Sequence, residues 1–70
     1  MDRTPVNSTM ISSIGYDPSS GTLEVEFNNG GAIWQYYDFP EHMWNEFENA
    51  ESHGKYFNAN IKDQYRGGRV

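Results

Sequence analysis

The stretch Thr22-Leu23-Glu24-Val25-Glu26-Phe27 decides the fold, because hydrophobic and polar residues alternate along it without a break. Its three hydrophobic side chains fall on one face of an extended chain, while Glu24 and Glu26 fall on the other. Such alternation is typical of a strand that has one face against a core and the other in water. We therefore expect both glutamates to lie on the exposed side of an antiparallel sheet.

Turn signals flank this strand on both sides and predict two further strands. The turn residues of 18–21 (Pro-Ser-Ser-Gly) precede it, and those of 28–31 (Asn-Asn-Gly-Gly) follow it. Both sequences favour the tight turns that join antiparallel strands. Residues 9–17 and 32–37 are rich in β-branched and aromatic residues, which favours strands. In the first of these strands, the expected faces are Met10, Ile14 and Tyr16 on one side and Ile11 on the other.

Hydrophobic residues after the strands recur at helical spacing and predict two short helices. Asp38 is placed to cap the first helix, with Pro40 in its first turn and Glu41 as the reciprocal partner of a capping box. Ser52 is placed to cap the second helix, and Gly54 marks the bend between the two. The residues expected to face the sheet are Met43, Trp44, Phe47 and Ala50 in the first helix, and Phe57, Ile61 and Tyr65 in the second.

These elements predict an α+β fold, a three-stranded antiparallel meander (β-β-β) followed by two short helices packed on one face. Residues 1–7 contain a proline and little hydrophobicity, so we expect a flexible lead-in. Residues 8–66 are expected to form a single domain, because 70 residues leave no room for a second core. Residues 67–70 follow the second helix and begin with two glycines, so we expect a frayed tail.

Composition predicts a cytoplasmic protein that makes no contact with membranes. The chain has no cysteine, which excludes disulfides and thiolate metal sites. The first ten residues lack the apolar run of a signal peptide. No stretch approaches the roughly 20 apolar residues that a membrane span needs.

No set of residues has the spacing of a catalytic or metal-binding site, so the sequence predicts a protein that is not an enzyme and holds no cofactor. His42 and His53 lie far apart without a ligand-spaced partner. Ser52 is next to His53, but neighbouring side chains point in different directions and cannot act as nucleophile and base. Glu24 and Glu26 share one face like a carboxylate pair, although exposed positions on a sheet explain them more simply.

Aromatic and basic residues are the candidates for a binding site. Three aromatic residues crowd the third strand on both of its faces, and two helices can cover only one face. One or two of these rings should therefore be exposed. The net charge is −5, yet four of the five basic residues lie after Gly54. The candidate binding residues are Trp34, Tyr36 and Tyr37 in the strand, and Lys55, Lys62, Arg66 and Arg69 in the basic end of the chain.

Two functions remain open at this point. The first is protein binding or weak self-association, through exposed rings or an open sheet edge, by a monomer or weak homo-oligomer. The second is binding of RNA or another single-stranded nucleic acid, in which rings stack on bases and basic side chains contact phosphates. The location of the basic residues distinguishes them. Convergence on the exposed rings would favour nucleic acid, and scatter would favour a protein partner.

Several short motifs between Ser8 and Arg66 occur in a recognisable order and spacing. They are Ile14-Gly15-Tyr16-Asp17; Leu23, Val25 and Phe27 with Gly30; Trp34-Gln35-Tyr36 with Phe39-Pro40; and Ala50, Ser52, Gly54, Tyr56-Phe57-Asn58, Ile61 and Tyr65. This arrangement resembles the KTSC domain family, named for the C-terminus of some lysyl-tRNA synthetases. The resemblance implies a small bacterial or phage domain for which RNA binding has been suggested. In one departure from the family pattern, Trp34 stands where the central Tyr-x-Tyr motif has its first tyrosine.

Overall fold

The computed structural model describes residues 1–70, which form a five-stranded antiparallel sheet and two helices. The strands are arranged in the order β1-β2-β3-β4-β5, so each pairs with its neighbours in sequence. The α+β class predicted from the sequence is confirmed. The elements are β1 (Thr4–Pro5), β2 (Ile11–Asp17), β3 (Thr22–Phe27), β4 (Ile33–Tyr36), α1 (Glu41–Glu48), α2 (His53–Asn60) and β5 (Gly67–Arg69).

The predicted number of strands was wrong, because each end of the chain adds a short strand to the meander of β2, β3 and β4. Thr4 lies opposite Ile14 of β2, and Gly67 lies opposite Tyr36 of β4. These segments contain proline or glycine and show no alternation, so they carry no strand pattern in the sequence. Proline is tolerated in β1 because one side of an edge strand needs no hydrogen-bonding partner.

An irregularity in β2 corrects the predicted faces of that strand. Ile11 lies opposite Phe27, but the next pair joins Ser13 to Glu26, so Ser12 is an extra residue on β2. Such a β-bulge shifts the alternation by one position. Ile11, which we expected on the opposite face, therefore points into the core together with Ile14.

The core lies between one face of the sheet and the two helices. Leu23 and Val25 have no exposed surface, as their alternation predicts. Phe27 is only half-buried, and its ring meets that of Phe57 in α2 edge-on, with 5.2 Å between centroids. The buried hydrophobic residues are Ile11, Ile14, Leu23, Val25, Tyr36, Phe39, Phe47, Phe57 and Ile61.

The start of the helix agrees with the prediction at α2 but not at α1. The Oγ of Ser52 accepts a hydrogen bond from the backbone N–H of Lys55 at 3.2 Å, which confirms the predicted cap. Pro40 occupies the N-cap position of α1, and no side chain accepts a hydrogen bond from the free backbone N–H groups at the start of this helix. Asp38 does not cap α1, because it adopts a left-handed conformation (φ 57°) two residues before the helix cap. The first helix ends at Glu48 and the second at Asn60, so Ala50, Ile61 and Tyr65, which were predicted to be helical, lie beyond the helices.

Replacing Ser52 tests the cap of α2. We expect Ser52→Ala to lower the free energy of unfolding by about 1 kcal/mol, because one backbone N–H loses its acceptor. Urea unfolding measures the change, and Ser52→Asp, which restores an acceptor, should recover most of it. An unchanged midpoint in Ser52→Ala would show that the hydrogen bond contributes nothing.

Candidate nucleic-acid interface

The aromatic side chains of β4 lie mainly on the helix side of the sheet. Trp34 and Tyr36 project from the same face, with their rings nearly parallel (18°) and their centroids 6.4 Å apart. Tyr36 is largely buried, and its ring meets Phe57 of α2 at 5.7 Å. Trp34 is only half-buried, so it presents the ring of this pair that a ligand can reach.

A surface depression of about 450 Å³, here called the aromatic groove, lies between β4 and the end of α2. Its walls combine aromatic rings with one basic and one acidic side chain, which gives it both stacking surfaces and charge. The residues that line it are Phe27, Trp34, Tyr36, Phe57, Lys62, Asp63, Tyr65 and Gly67.

One of the predicted basic residues lines this groove, and a second lies next to Trp34 in the sheet. Lys62, in the turn that follows α2, lines the groove directly and is exposed. Arg69 of β5 does not line the groove but lies directly opposite Trp34 in the sheet. Side chains of directly opposed residues in an antiparallel pair project from the same face. Trp34 therefore shares the groove with the cationic side chain of Lys62 and shares its face of the sheet with that of Arg69.

The other predicted residues lie elsewhere. Lys55 is in the first turn of α2 and lines a separate polar pocket, of about 410 Å³, together with Ser8 and Asn58. The backbone N–H of Tyr37 donates to the carbonyl of Arg66 at 2.9 Å, which places these two residues together at the end of β4. Neither lines the aromatic groove. Of the seven residues predicted, Trp34, Tyr36 and Lys62 line the groove, Arg69 lies opposite Trp34 in the sheet, and Tyr37, Lys55 and Arg66 lie elsewhere.

Asp63 is the acidic member of the groove. It adopts a left-handed conformation (φ 64°), which reverses the chain after α2 and brings its carboxylate to the groove beside Lys62. Burial raises the pKa of the Tyr36 hydroxyl, and the negative charge of Asp63 raises that pKa further. The Tyr36 hydroxyl therefore stays protonated and available as a hydrogen-bond donor.

The opposite face of the sheet carries a polar network and corrects our expectation for Glu24. Glu24 is only 7% exposed, although its position in β3 predicts exposure. Its carboxylate accepts hydrogen bonds from the amide of Gln35 at 2.9 Å and from the guanidinium of Arg3, with which it also forms an ion pair. Arg3 reaches Glu24 from the position just before β1, and its Nε donates to the hydroxyl of Ser13 at 3.0 Å.

The environment of Glu24 keeps it ionised. Burial raises the pKa of the carboxyl, but the hydrogen bonds from Gln35 and Arg3 and the positive charge of Arg3 outweigh burial, so the net pKa lies below its ordinary value of 4.5. The absence of a side chain at Gly15 makes room for Arg3. A Cβ atom there would lie 2.4 Å from the carbonyl oxygen of Asp2 and 3.1 Å from Cγ of Arg3.

The histidines do not form a metal site with other residues. Nowhere in the structure do three histidine, cysteine, aspartate or glutamate side chains come together in a geometry that could hold a metal ion. The Nε2 atom of His53 lies 3.3 Å from the carbonyl oxygen of Glu48, and its ring meets that of Phe47 at 5.8 Å. Neither helix is long and apolar enough to cross a membrane.

The family is shown by comparison with known proteins. The sequence model of the KTSC domain matches residues 7–65. The chain belongs to the KTSC domain family. The central motif of this KTSC domain, Trp34-Gln35-Tyr36, supplies two rings of the aromatic groove and the amide that bonds to Glu24. The motif thus contributes side chains to both faces of the sheet.

Relatives include whole proteins of the same size. An uncharacterised protein of Stutzerimonas stutzeri is 38% identical over 71 residues, which cover 100% of this chain and 99% of that protein. The crystal structure of a KTSC domain protein from Yersinia pestis superposes with a TM-score of 0.94 at 38% identity, covering 99% of this chain and 96% of that chain. The shared structure therefore extends over both edge strands.

A further relative is part of a much longer enzyme. A lysine–tRNA ligase of Nostoc sp. is 36% identical over 58 residues, which cover 83% of this chain but only 10% of the ligase. In that protein, a KTSC-like segment is joined to an enzyme that acts on tRNA.

Proposed function

We propose that this KTSC domain binds single-stranded RNA in the aromatic groove. The observation that carries the proposal is that Lys62 lines the same groove as the half-buried ring of Trp34, while Arg69 lies directly opposite Trp34 in the sheet. Exposed rings beside cationic side chains are the combination with which small domains hold unpaired nucleotides, because bases stack on the ring while phosphates contact the cations.

Each part of the groove has a role in this binding. Trp34 provides a flat face on which a base stacks, a contact worth about 1–3 kcal/mol per base. Lys62 and Arg69 contact the adjacent phosphates. The hydroxyl of Tyr36 is protonated at neutral pH, as tyrosine ordinarily is, and donates to a base or sugar oxygen.

The edges of the sheet give less support to binding of a protein by strand addition. The two edge strands, β1 and β5, contain only two and three residues. Proteins commonly shorten edge strands, or place proline in them, to prevent pairing with another chain. The sheet edges therefore offer a poor template, and the aromatic groove is the stronger candidate surface.

The net charge of −5 limits the affinity but not the location of binding. Ten carboxylates repel a polyanion at long range, whereas the cations at the groove act at short range. Binding should therefore be weak at physiological salt and should strengthen steeply as the salt concentration falls.

Replacing Lys62 tests the proposed phosphate contact. A fluorescein-labelled decaadenylate is titrated with the protein at several salt concentrations, and anisotropy gives the dissociation constant. Lys62→Gln should weaken binding and should reduce the slope of log K against log salt by about 0.7, the value for one lost contact to a single strand. Lys55→Gln is the matched control, because it removes the same charge from the separate pocket beside Ser8. Equal losses in the two variants would contradict a local contact at the groove.

Replacing Asp63 should strengthen binding. Asp63→Asn removes the negative charge from the groove, and asparagine tolerates the left-handed conformation at this position. We expect decaadenylate to bind about threefold more tightly at low salt, the effect of one unit-charge repulsion across about 6 Å of water. Glu48→Gln removes an equal charge from α1, outside the groove, and should produce a smaller change. Tighter binding by Glu48→Gln alone would contradict the assigned location.

A further inference from the structure

A second pocket lies on the other side of Trp34. This pocket, here called the hairpin pocket, has a volume of about 430 Å³ and is formed where β3 turns into β4. The aromatic groove has nearly the same volume, about 450 Å³. Phe27 and Trp34 line both, so these two side chains form the wall between them. The residues of the hairpin pocket are Thr9, Met10, Phe27, Asn29, Ala32 and Trp34.

The alternation of β4 explains why the two depressions flank the indole ring. The turn places Ala32 next to the strand, and its carbonyl accepts from the backbone N–H of Phe27 at 2.8 Å. Ala32, Trp34 and Tyr36 then follow one another on the same face, about 6.6 Å apart, because side chains on one face recur every second residue. The small side chain of Ala32 leaves space on one side of the ring. The aromatic groove lies on the other side, over Tyr36.

The two pockets differ in charge. The aromatic groove contains Lys62 and Asp63, whereas no charged side chain lines the hairpin pocket. The hairpin pocket instead contains the hydroxyl of Thr9 and the exposed amide of Asn29. An asparagine amide both donates and accepts hydrogen bonds, so it can pair with the edge of a base. The groove thus suits a phosphate-bearing nucleotide, and the hairpin pocket suits a base.

We propose that the domain holds two successive nucleotides of a single RNA strand, one in each of the two pockets that Trp34 separates. This inference rests on the proposed function and adds the length of the recognised ligand. The nucleotide in the aromatic groove contacts Lys62 through its phosphate. The next base lies in the hairpin pocket, against the opposite side of Trp34 and beside Asn29.

A series of short oligonucleotides tests this two-nucleotide footprint, that is, whether the domain binds two successive nucleotides. The dissociation constants of 5′-adenylate, pApA and decaadenylate are measured at low salt from the NMR shift of the Trp34 indole N–H. We expect pApA to bind about 5- to 150-fold more tightly than 5′-adenylate, because a second base is stacked. Ala32→Leu, which fills the hairpin pocket, should bring pApA to within about twofold of 5′-adenylate, since the second stacking contact is lost. The same variant should leave 5′-adenylate binding unchanged.

A second variant keeps the test decisive if Ala32→Leu does not fold. Asn29→Ala is in an exposed turn, and it should weaken pApA selectively while it leaves 5′-adenylate unaffected. Equal affinity for 5′-adenylate and pApA, with decaadenylate binding still dependent on Lys62, would overturn the two-nucleotide footprint alone. Failure of decaadenylate to bind would overturn the footprint and the proposed function together.

Discussion

Phe47→Ala is expected to lower the free energy of unfolding by about 3–5 kcal/mol, the usual cost of deleting a buried phenylalanine ring. Phe47 has no exposed surface and is the buried residue of α1. Its ring stacks on Tyr56 of α2 at 5.4 Å and meets Trp44 edge-on at 6.5 Å. The deletion therefore loosens the contact between the two helices as well as that between α1 and the sheet.

Thermal and urea unfolding of Phe47→Ala measure the effect. A domain of this size has a total stability of about 5 kcal/mol, so we expect the variant to be largely unfolded at 37 °C. Tyr37→Ala is the matched control, because Tyr37 is 36% exposed and does not belong to the core. That control should change stability by no more than about 0.5 kcal/mol. Similar melting temperatures for Phe47→Ala and the unmodified protein would contradict the packing described for α1.

Arg3→Ala is expected to cost about 1.5–3 kcal/mol, because it leaves the buried carboxylate of Glu24 without its charged partner. Only the amide of Gln35 would still donate to that carboxylate. Arg66→Ala is the matched control, since it removes the same charge from an exposed position. Equal stability of the two variants in urea would show that the ion pair contributes nothing.

The pH dependence of unfolding provides a second measurement of the same network. Because the pKa of Glu24 is lower in the folded state than its ordinary value of 4.5, its contribution is fully present above that value. The contribution is lost as the pH falls through the folded-state pKa. Arg3→Ala should therefore lose less stability than the unmodified protein between about pH 5 and pH 3. A parallel loss in both proteins would assign the acid sensitivity to other carboxylates.

The sequence predicts the strands with side-chain alternation and fails where alternation is absent. Val25 and its neighbours in β3 repeat every second residue, which leaves one consistent core face. Strands β1 and β5 form only because a longer partner strand is already in place, and pairings of two and three residues leave no periodic pattern in the sequence. The bulge at Ser12 also leaves no pattern in the sequence. This one inserted residue changes which side of β2 Ile11 occupies.

The candidate site was predictable in composition but not in geometry. The aromatic strand and the basic end of the chain identify Trp34, Lys62 and Arg69. The position of Arg69 opposite Trp34 depends on the pairing of β5 with β4, which the sequence does not indicate. Glu24 was wrongly predicted to be exposed, because its burial depends on Arg3, a residue 21 positions away that directly precedes the unpredicted strand β1. The absence of a side chain at Gly15 was the only local signal that another segment crosses there.

A titration of short single-stranded RNA into ¹⁵N-labelled protein, at low salt and followed by NMR, tests the central claim most directly. We predict shifts in the indole N–H of Trp34 and in the backbone amides of Lys62, Asp63 and Arg69. The amides around Ser13 and Glu24, on the opposite face of the sheet, should stay unchanged. The absence of shifts at millimolar RNA, or shifts confined to that opposite face, would contradict the account and direct attention to a protein partner.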